Sequence, residues 1–496
     1  MQDPKRAAHA ASIATSARAL PLPGPNVKVE THVSADTAPP RNPVRRRSVR
    51  RAAALLATTG LAVGVAACGS SSGGSSGSSG GSSTKAKLSS TGAKAPGNPT
   101  SGTINWWASP ITTSGPDVRK VWIAAFEKAY PNIHVHLISA PTDTDTNRAT
   151  LTTQISGGSG PDVFMGDVIW PAQFGAHGLA VPLSKYLPKS YWSRFANGLV
   201  AGATYKGQVY GAPLFEDQGF LYYRKDLLAK DHLAVPKTWE QLVSESKEMQ
   251  SKHQVKYGYV FQGADYEGAT CDFAEFLADA GGTVLNSGDT KAVLGAPAVK
   301  ALTFERSLVK EGISPSGEST FQEPQSLAVF TNGQAAFLRN WDYAYASSNA
   351  KGSKIIGKVG VAPMPTFSGQ STPGYSNIGG WNLYINPHSK NIAADLTFIK
   401  WMTGKEAQTI QATKFSQIPT INSVRTDKAV IKGNANLLVV PKTRLVPRPA
   451  QTPDYSQVSQ AIYQGVSSAL AGQTSPSSAV SKMTSSINTA LGGGGL

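Results

Sequence analysis

Thr103-Ile104-Asn105-Trp106-Trp107-Ala108 opens the stretch that decides the fold, and Pro161-Asp162-Val163-Phe164-Met165 closes it. The first run, with its isoleucine and paired tryptophans, reads as a strand. From Val118 to Tyr130 the apolar residues Val121, Trp122, Ala125, Phe126 and Ala129 recur with the helical period, and Pro131 ends the run. Ile133-His134-Val135-His136-Leu137-Ile138 alternates apolar and polar, as a strand with one half-exposed face does. Thr144 to Ile155 reads as a second helix, and the closing run as a buried strand. This β-α-β-α-β order predicts a mostly parallel sheet with helices on both faces, hence an α/β fold.

Two features inside this stretch resemble metal sites but lack the ligands. His134 and His136 share one strand face, yet no acidic or histidine partner recurs nearby, so both read as solvent-facing. Asp143-Thr144-Asp145-Thr146-Asn147 begins like a calcium loop. Its sixth position is Arg148 where the sharp turn needs glycine, and its twelfth is Gln154 where a bidentate glutamate is needed. No metal or other cofactor is expected.

Upstream, arginine runs (Arg45-Arg46-Arg47, Arg50-Arg51) precede an apolar segment, Ala52 to Ala67, that ends in Val65-Ala66-Ala67-Cys68. The segment is shorter than the roughly 20 residues a bilayer span needs. A basic, then apolar, then small-residue order marks a secretory signal, and the last four residues resemble a bacterial lipobox. Cys68 is then the lipidated N-terminus of the mature chain. Residues 1–67 form an N-terminal extension and signal peptide, with translation expected to begin near Val44 or Val49. The export route, general secretory or twin-arginine, stays open. Residues 68–100 form a Ser/Gly leash whose flexible part spans roughly 30 Å end to end.

The whole chain has 496 residues, 40% of them hydrophobic, enough for a real core in two or three domains or one two-lobed body. Its net charge of +16 is uneven, since residues 1–67 hold ten Lys/Arg against three Asp/Glu. The remainder has no basic block or nucleic-acid-reading motif, so nucleic acid is not an expected partner. With Cys68 lipidated, Cys271 is left alone and no disulfide forms within one chain; it is expected to be buried in a helix as a small hydrophobe. Further along, Thr238 and Gln241 form a capping box. Gly379 to Ile385 reads as a strand, and Ile392–Met402 and Tyr455 to about Leu470 read as helices.

Six stretches occur in an order that resembles the extracellular solute-binding proteins, family 1, of ABC importers, with trehalose/maltose-binding lipoproteins most similar. They are Pro161 to Phe174, Gly219 to Leu227, Pro236 to Leu242, Asn340-Trp341-Asp342-Tyr343-Ala344, Gly379-Gly380-Trp381 and Pro447-Arg448-Pro449. The resemblance covers nearly all of 101–475. It implies a two-lobed periplasmic-binding-protein-like fold with a three-segment hinge and a ligand cleft between the lobes. By that analogy the first lobe is 101–215 with 380–424, the second 216–379 with 425–491, and the chain crosses near Phe215, Ser376 and Val424.

The resemblance also implies the site. A pyranose offers apolar C–H faces and an equator of hydroxyls, so it needs flat aromatic platforms and directed polar groups. Asp167 and Asp217 are the expected acceptors, Trp341, Tyr343 and Trp381 the platforms, and Arg448 a fork donor. Gly380 lets backbone approach the ligand. Asp145, Asn147 and Arg148 fall where relatives touch a second sugar. Glu216 points away from Asp217 on an extended segment, so the adjacent acids make a poor catalytic dyad. The chain is therefore read as a non-enzymatic, monomeric binder. It takes an α-linked disaccharide such as trehalose or maltose and passes it to ABC permease subunits, held at the extracellular face of the membrane by its lipid. The alternatives are a binder of another solute (a polyol, glycerol-phosphate, a peptide or an oligosaccharide) and a secreted glycoside hydrolase acting through Asp167 and Asp217.

Overall fold

In the computed structural model the described residues are 99, 101–111 and 115–492. The arginine runs, Cys68 and the Ser/Gly tract lie outside them. Thirteen strands follow in order among the described residues. They are β1 (Gly102–Ala108), β2 (Ile133–Ser139), β3 (Val163–Asp167), β4 (Thr204–Tyr205), β5 (Gln208–Val209), β6 (Ala212–Gln218), β7 (Phe220–Arg224), β8 (Tyr257–Val260), β9 (Ala335–Asn340), β10 (Val359–Ala362), β11 (Tyr375–Ile385), β12 (Ile418–Pro419) and β13 (Arg444–Val446). They form two main sheets. One runs β12-β6-β11-β3-β1-β2 with β13 beside β11, and the other runs β10-β7-β9-β8. The small β4–β5 hairpin stands apart.

The opening stretch folds as its pattern dictates. β2, β1 and β3 are parallel, joined by the helices Val118–Ala129 and Thr144–Ser156. Adjacent tryptophans face opposite ways, as alternate strand residues must. Trp106 packs on Trp122 and Phe398 on one face, and Trp107 donates from Nε1 to Asn147 Oδ1 (2.7 Å) on the other. His134 and His136 are exposed, and Asp143 caps the helix Thr144–Ser156 through the amide of Thr146.

The expectation of a mostly parallel sheet needs correction. β11 runs antiparallel to both β3 and β6, and β12 runs antiparallel to β6. These strands come from distant parts of the chain, so the right-handed crossover that makes neighbouring βαβ strands parallel does not set their direction.

β6 lies in the first sheet and β7 in the second, with only Gly219 between them. A Cβ at Gly219 would lie 2.2 Å from Glu275 Oε1, so the turn has room for glycine alone. The chain returns between β10, in the second sheet, and β11, which joins the first. It crosses once more after β12. β13 pairs with the start of β11, and the helix Tyr455–Leu470 then packs on the helix Glu267–Asp279 of the second lobe. The core of that lobe is built on Trp239, Tyr259, Phe276 and Leu302. Thr238 and Gln241 form the expected capping box ahead of Trp239–Ser251. Cys271 is buried on Glu267–Asp279 and burial pushes its thiol up, so it packs as an apolar group. None of the described helices is long and apolar enough to cross a membrane.

Candidate ligand site between the lobes

β3 ends at Asp167, which lies opposite Trp381 of β11 in register, and β11 also lies against β6, where Gly379 faces Asp217. Strand pairing alone therefore brings three separate motifs side by side on the adjacent strands β3, β11 and β6. From the second lobe, β9 delivers Trp341 immediately after its last residue. A Cβ on Gly379 would sit 3.0 Å from both Asp217 Cβ and Trp341 Cζ3, so acid and indole flank this glycine. Gly380 has φ +125°, and a Cβ there would lie 2.5 Å from the Phe215 carbonyl oxygen. That conformation and that approach both require glycine.

Trp341 is fixed on several sides. Its Nε1 donates to Glu323 Oε1 (3.1 Å), and the Arg339 guanidinium lies 4.0 Å from its ring centroid. It is 8% exposed. Trp381 is half-buried and meets Trp170 edge-on at 6.2 Å. Trp170 itself is buried, stacked on Phe174 in the first lobe. Tyr343 is buried beside Trp341, its hydroxyl pushed well up by burial and by the nearby acids Glu323, Asp217 and Asp342.

Arg448 links the lobes. It donates to Asp167 Oδ1 (3.1 Å) on the first lobe and to Glu267 Oε1 (2.8 Å) on the second, and it also reaches the Ile378 carbonyl (3.3 Å). Asp167 Oδ1 accepts from the Ile169 amide as well (3.2 Å). Burial pushes the Asp167 carboxyl up while Arg448 opposes the shift. Glu267 gathers further donors, from Tyr455 (2.6 Å) and from Ser459, on the last crossing's helix. Its own amide donates to Asp145 Oδ2 (3.2 Å), across from the first lobe. Burial beside Glu267 pushes the Asp145 carboxyl up to about 7. Gln322 donates to Asp143 (3.3 Å), so the lobes touch at several points.

The expected residues thus separate. Trp381 lies opposite Asp167, Gly380 precedes it, Asp217 and Trp341 flank Gly379, Tyr343 follows Trp341, Arg448 pairs with Asp167, and Asp145 meets Glu267 at the boundary between the lobes. Asn147 does not face it. It is fully buried, accepts from Trp107 and donates to Ser109 (3.0 Å), so its amide fastens the end of β1. Arg148 lies at the margin, 3.8 Å from Asp145 and 3.5 Å from Gln173. A groove of about 1490 Å³ opens between Ile169, Phe215 and Glu216 on one side and Thr270 and Ala274 on the other, and of the expected ligand residues Arg448 alone lines it.

Glu216 does turn away from Asp217, pairing with Arg425 and accepting from Gln218 (2.6 Å). The acid that meets Asp217 is Asp342, whose carboxyl hydrogen-bonds it directly. Sequence reading passed over Asp342, although it lies inside the Trp341–Tyr343 motif, and it also missed Glu267 and Glu323. Among the described residues no cluster of acids, histidines and cysteines fits a metal ion.

The family described as bacterial extracellular solute-binding protein matches residues 108–409. A "Probable ABC transporter-binding protein" of Deinococcus radiodurans is 35% identical over 357 residues, 70% of this chain and 84% of that one. The mannitol-binding protein of Pseudomonas aeruginosa is 27% identical over 287 residues, 56% of this chain and 64% of that one. The structure of maltose-bound MalE3 from T. maritima is 33% identical and superposes with a TM-score of 0.73, over 78% of this chain and 100% of that one.

Proposed function

Because this chain belongs to the bacterial extracellular solute-binding proteins, a family of binders and not of enzymes, we propose that it captures an α-linked disaccharide such as trehalose or maltose for an ABC importer. What supports this reading is that Asp217 and Trp341 flank Gly379, that Trp381 lies opposite Asp167, and that Arg448 pairs with Asp167. Indoles suit the C–H faces of a pyranose, and the acids and Arg448 suit its hydroxyls. A bound sugar would touch both lobes, so it favours their closed arrangement over the open one. The lipid on Cys68 would then hold the binder at the extracellular face of the membrane, beside its permease. A polyol ligand is the second reading, favoured by the similarity to a mannitol-binding protein.

Titration calorimetry against trehalose, maltose, maltotriose and mannitol tests the assignment. Disaccharide binding in the micromolar range is expected, with mannitol weaker by at least about tenfold, or ~1.4 kcal/mol. No sugar binding below about millimolar refutes the disaccharide reading, and tighter mannitol binding selects the polyol. Trp381→Ala should weaken sugar binding by about 10- to 100-fold, the loss of one aromatic platform. Its thermal midpoint should move little, because Trp381 is only half-buried.

A further inference from the structure

Two carboxyls meet where β6 and the end of β9 converge. Asp342 is fully buried and Asp217 nearly so. Asp342 Oδ2 accepts from the Ile418 amide of β12 (2.6 Å), which ties this second-lobe acid to a first-lobe strand. Asp217 Oδ1 and Asp342 Oδ1 are both buried, and no N–H or O–H of the described residues donates to either. Buried oxygens without donors are costly and rare, and these two belong to carboxyls that hydrogen-bond one another. A carboxyl–carboxyl hydrogen bond exists only with a proton between them.

We propose that Asp342 is a positioning residue of the sugar site: its carboxyl shares one proton with Asp217, and that proton is taken up as the lobes close on the ligand. The shared proton would fix the direction of the Asp217 carboxylate while keeping the pair at a single negative charge. This rests on the sugar-binding reading and deepens it.

The surroundings favour the proton. The groups acting most on Asp217 after its burial are Asp342, Asp167, Glu216 and Glu323, all acids. From the packed elements Tyr222 of β7 and Tyr343 also face the pair, and neither is a cation. Arg425 is held by Glu216, Arg448 by Asp167 and Glu267, and Arg339 by Asp272 and Glu275. Burial pushes both carboxyls up. A group whose protonation is favoured by closure gives tight binding at low pH that is lost as pH rises through the closed-state value. Asp145 is the other cleft acid with a raised carboxyl that lobe contact buries. It is therefore silenced in the test by Asp145→Asn.

The test is calorimetry with the preferred disaccharide, across about pH 6 to 8.5 and in two buffers of different ionisation enthalpy. D145N should still take up close to one proton per sugar, with affinity falling up to about tenfold per pH unit at the alkaline end. D145N/D342N should bind at neutral pH within about tenfold of D145N, because the side-chain amide introduced by D342N can donate to Asp217 permanently. It should take up no proton and show a flat profile. An unchanged slope in D145N/D342N overturns the proposal. So does the absence of proton uptake in D145N, a result that stands even if the double variant does not fold. Absence of sugar binding in the unsubstituted protein would instead refute the sugar reading itself.

Discussion

Arg339 and Arg448 are both buried arginines held between two carboxylates, yet they do opposite work. Arg339 is fully buried in the second lobe. It meets Asp272 (2.9 Å) and Glu275 (2.6 Å) on one helix and Gln262 Oε1 (3.0 Å) beyond β8. Every one of these partners moves with it. Arg448 has one carboxylate on each lobe, Asp167 and Glu267. The same ion-pair chemistry therefore stiffens a body in one place and joins two lobes in the other. Burial depth does not separate the two roles; what separates them is whether the partners belong to one rigid unit.

The largest effect expected from this contrast is on stability. Arg339→Met leaves Asp272 and Glu275 buried beside each other without a cation, and should cost about 3–5 kcal/mol. Trp341 also loses the group stacked on it, so sugar binding should fall together with the denaturant midpoint. Arg448→Met should move the denaturant midpoint less than Arg339→Met does. Asp167 and Glu267 can separate into solvent as the lobes part, while sugar affinity drops by at least about tenfold. Equal destabilisation by the two variants, measured by chemical denaturation, breaks the comparison.

Smaller effects sharpen it. Gly380→Ala places a methyl 2.5 Å from the Phe215 carbonyl at φ +125°, and should cost about 1–3 kcal/mol while distorting the strand that carries Trp381. Wild-type affinity with a lowered midpoint would mean that the glycine serves the fold alone.

The smallest effect lies far from the cleft. Asp395 is fully buried, accepts from Ser389 and leaves Oδ1 without a donor; burial pushes its carboxyl up to about 7. A carboxyl raised in the folded state binds its proton more tightly folded than unfolded. Stability should thus fall as pH rises from the ordinary carboxyl range towards 7, and level off above. Asp395→Asn should remove that slope and raise the midpoint at about pH 8 relative to wild type, with little change at about pH 5. The sugar-affinity profile should not change.

Much of the first lobe was legible because its signals are local. The period in Val121, Trp122, Phe126 and Ala129, the alternation around His134 and His136, and Pro131 each depend on near neighbours, and all three gave the right element. The antiparallel placement of β11 and β12 was not legible, since direction there is set by where the chain re-enters the first lobe. The cleft divides in the same way. Motif context pointed to Trp341, Trp381, Asp217 and Arg448; the fold sets Trp341 and Asp217 against Gly379, and Trp381 and Arg448 against Asp167. Asn147 was misplaced because helix periodicity gives the face a residue occupies and not what covers it; Trp107 and Ser109 cover it here. Glu267 carries no local mark at all. It reaches the boundary between the lobes only because its helix meets Arg448 and Asp145.

The sequence by itself determined the strand and helix order of the opening stretch, the glycine pair before Trp381 and the separation of Glu216 from Asp217. Each depends on a few neighbouring residues. The tertiary structure alone decided that Asp217 meets Asp342, that Arg448 joins the lobes, and that Arg339 is held by Asp272 and Glu275. These pairs are separated by tens to hundreds of residues, and their energies depend on burial and distance, which only the folded chain fixes.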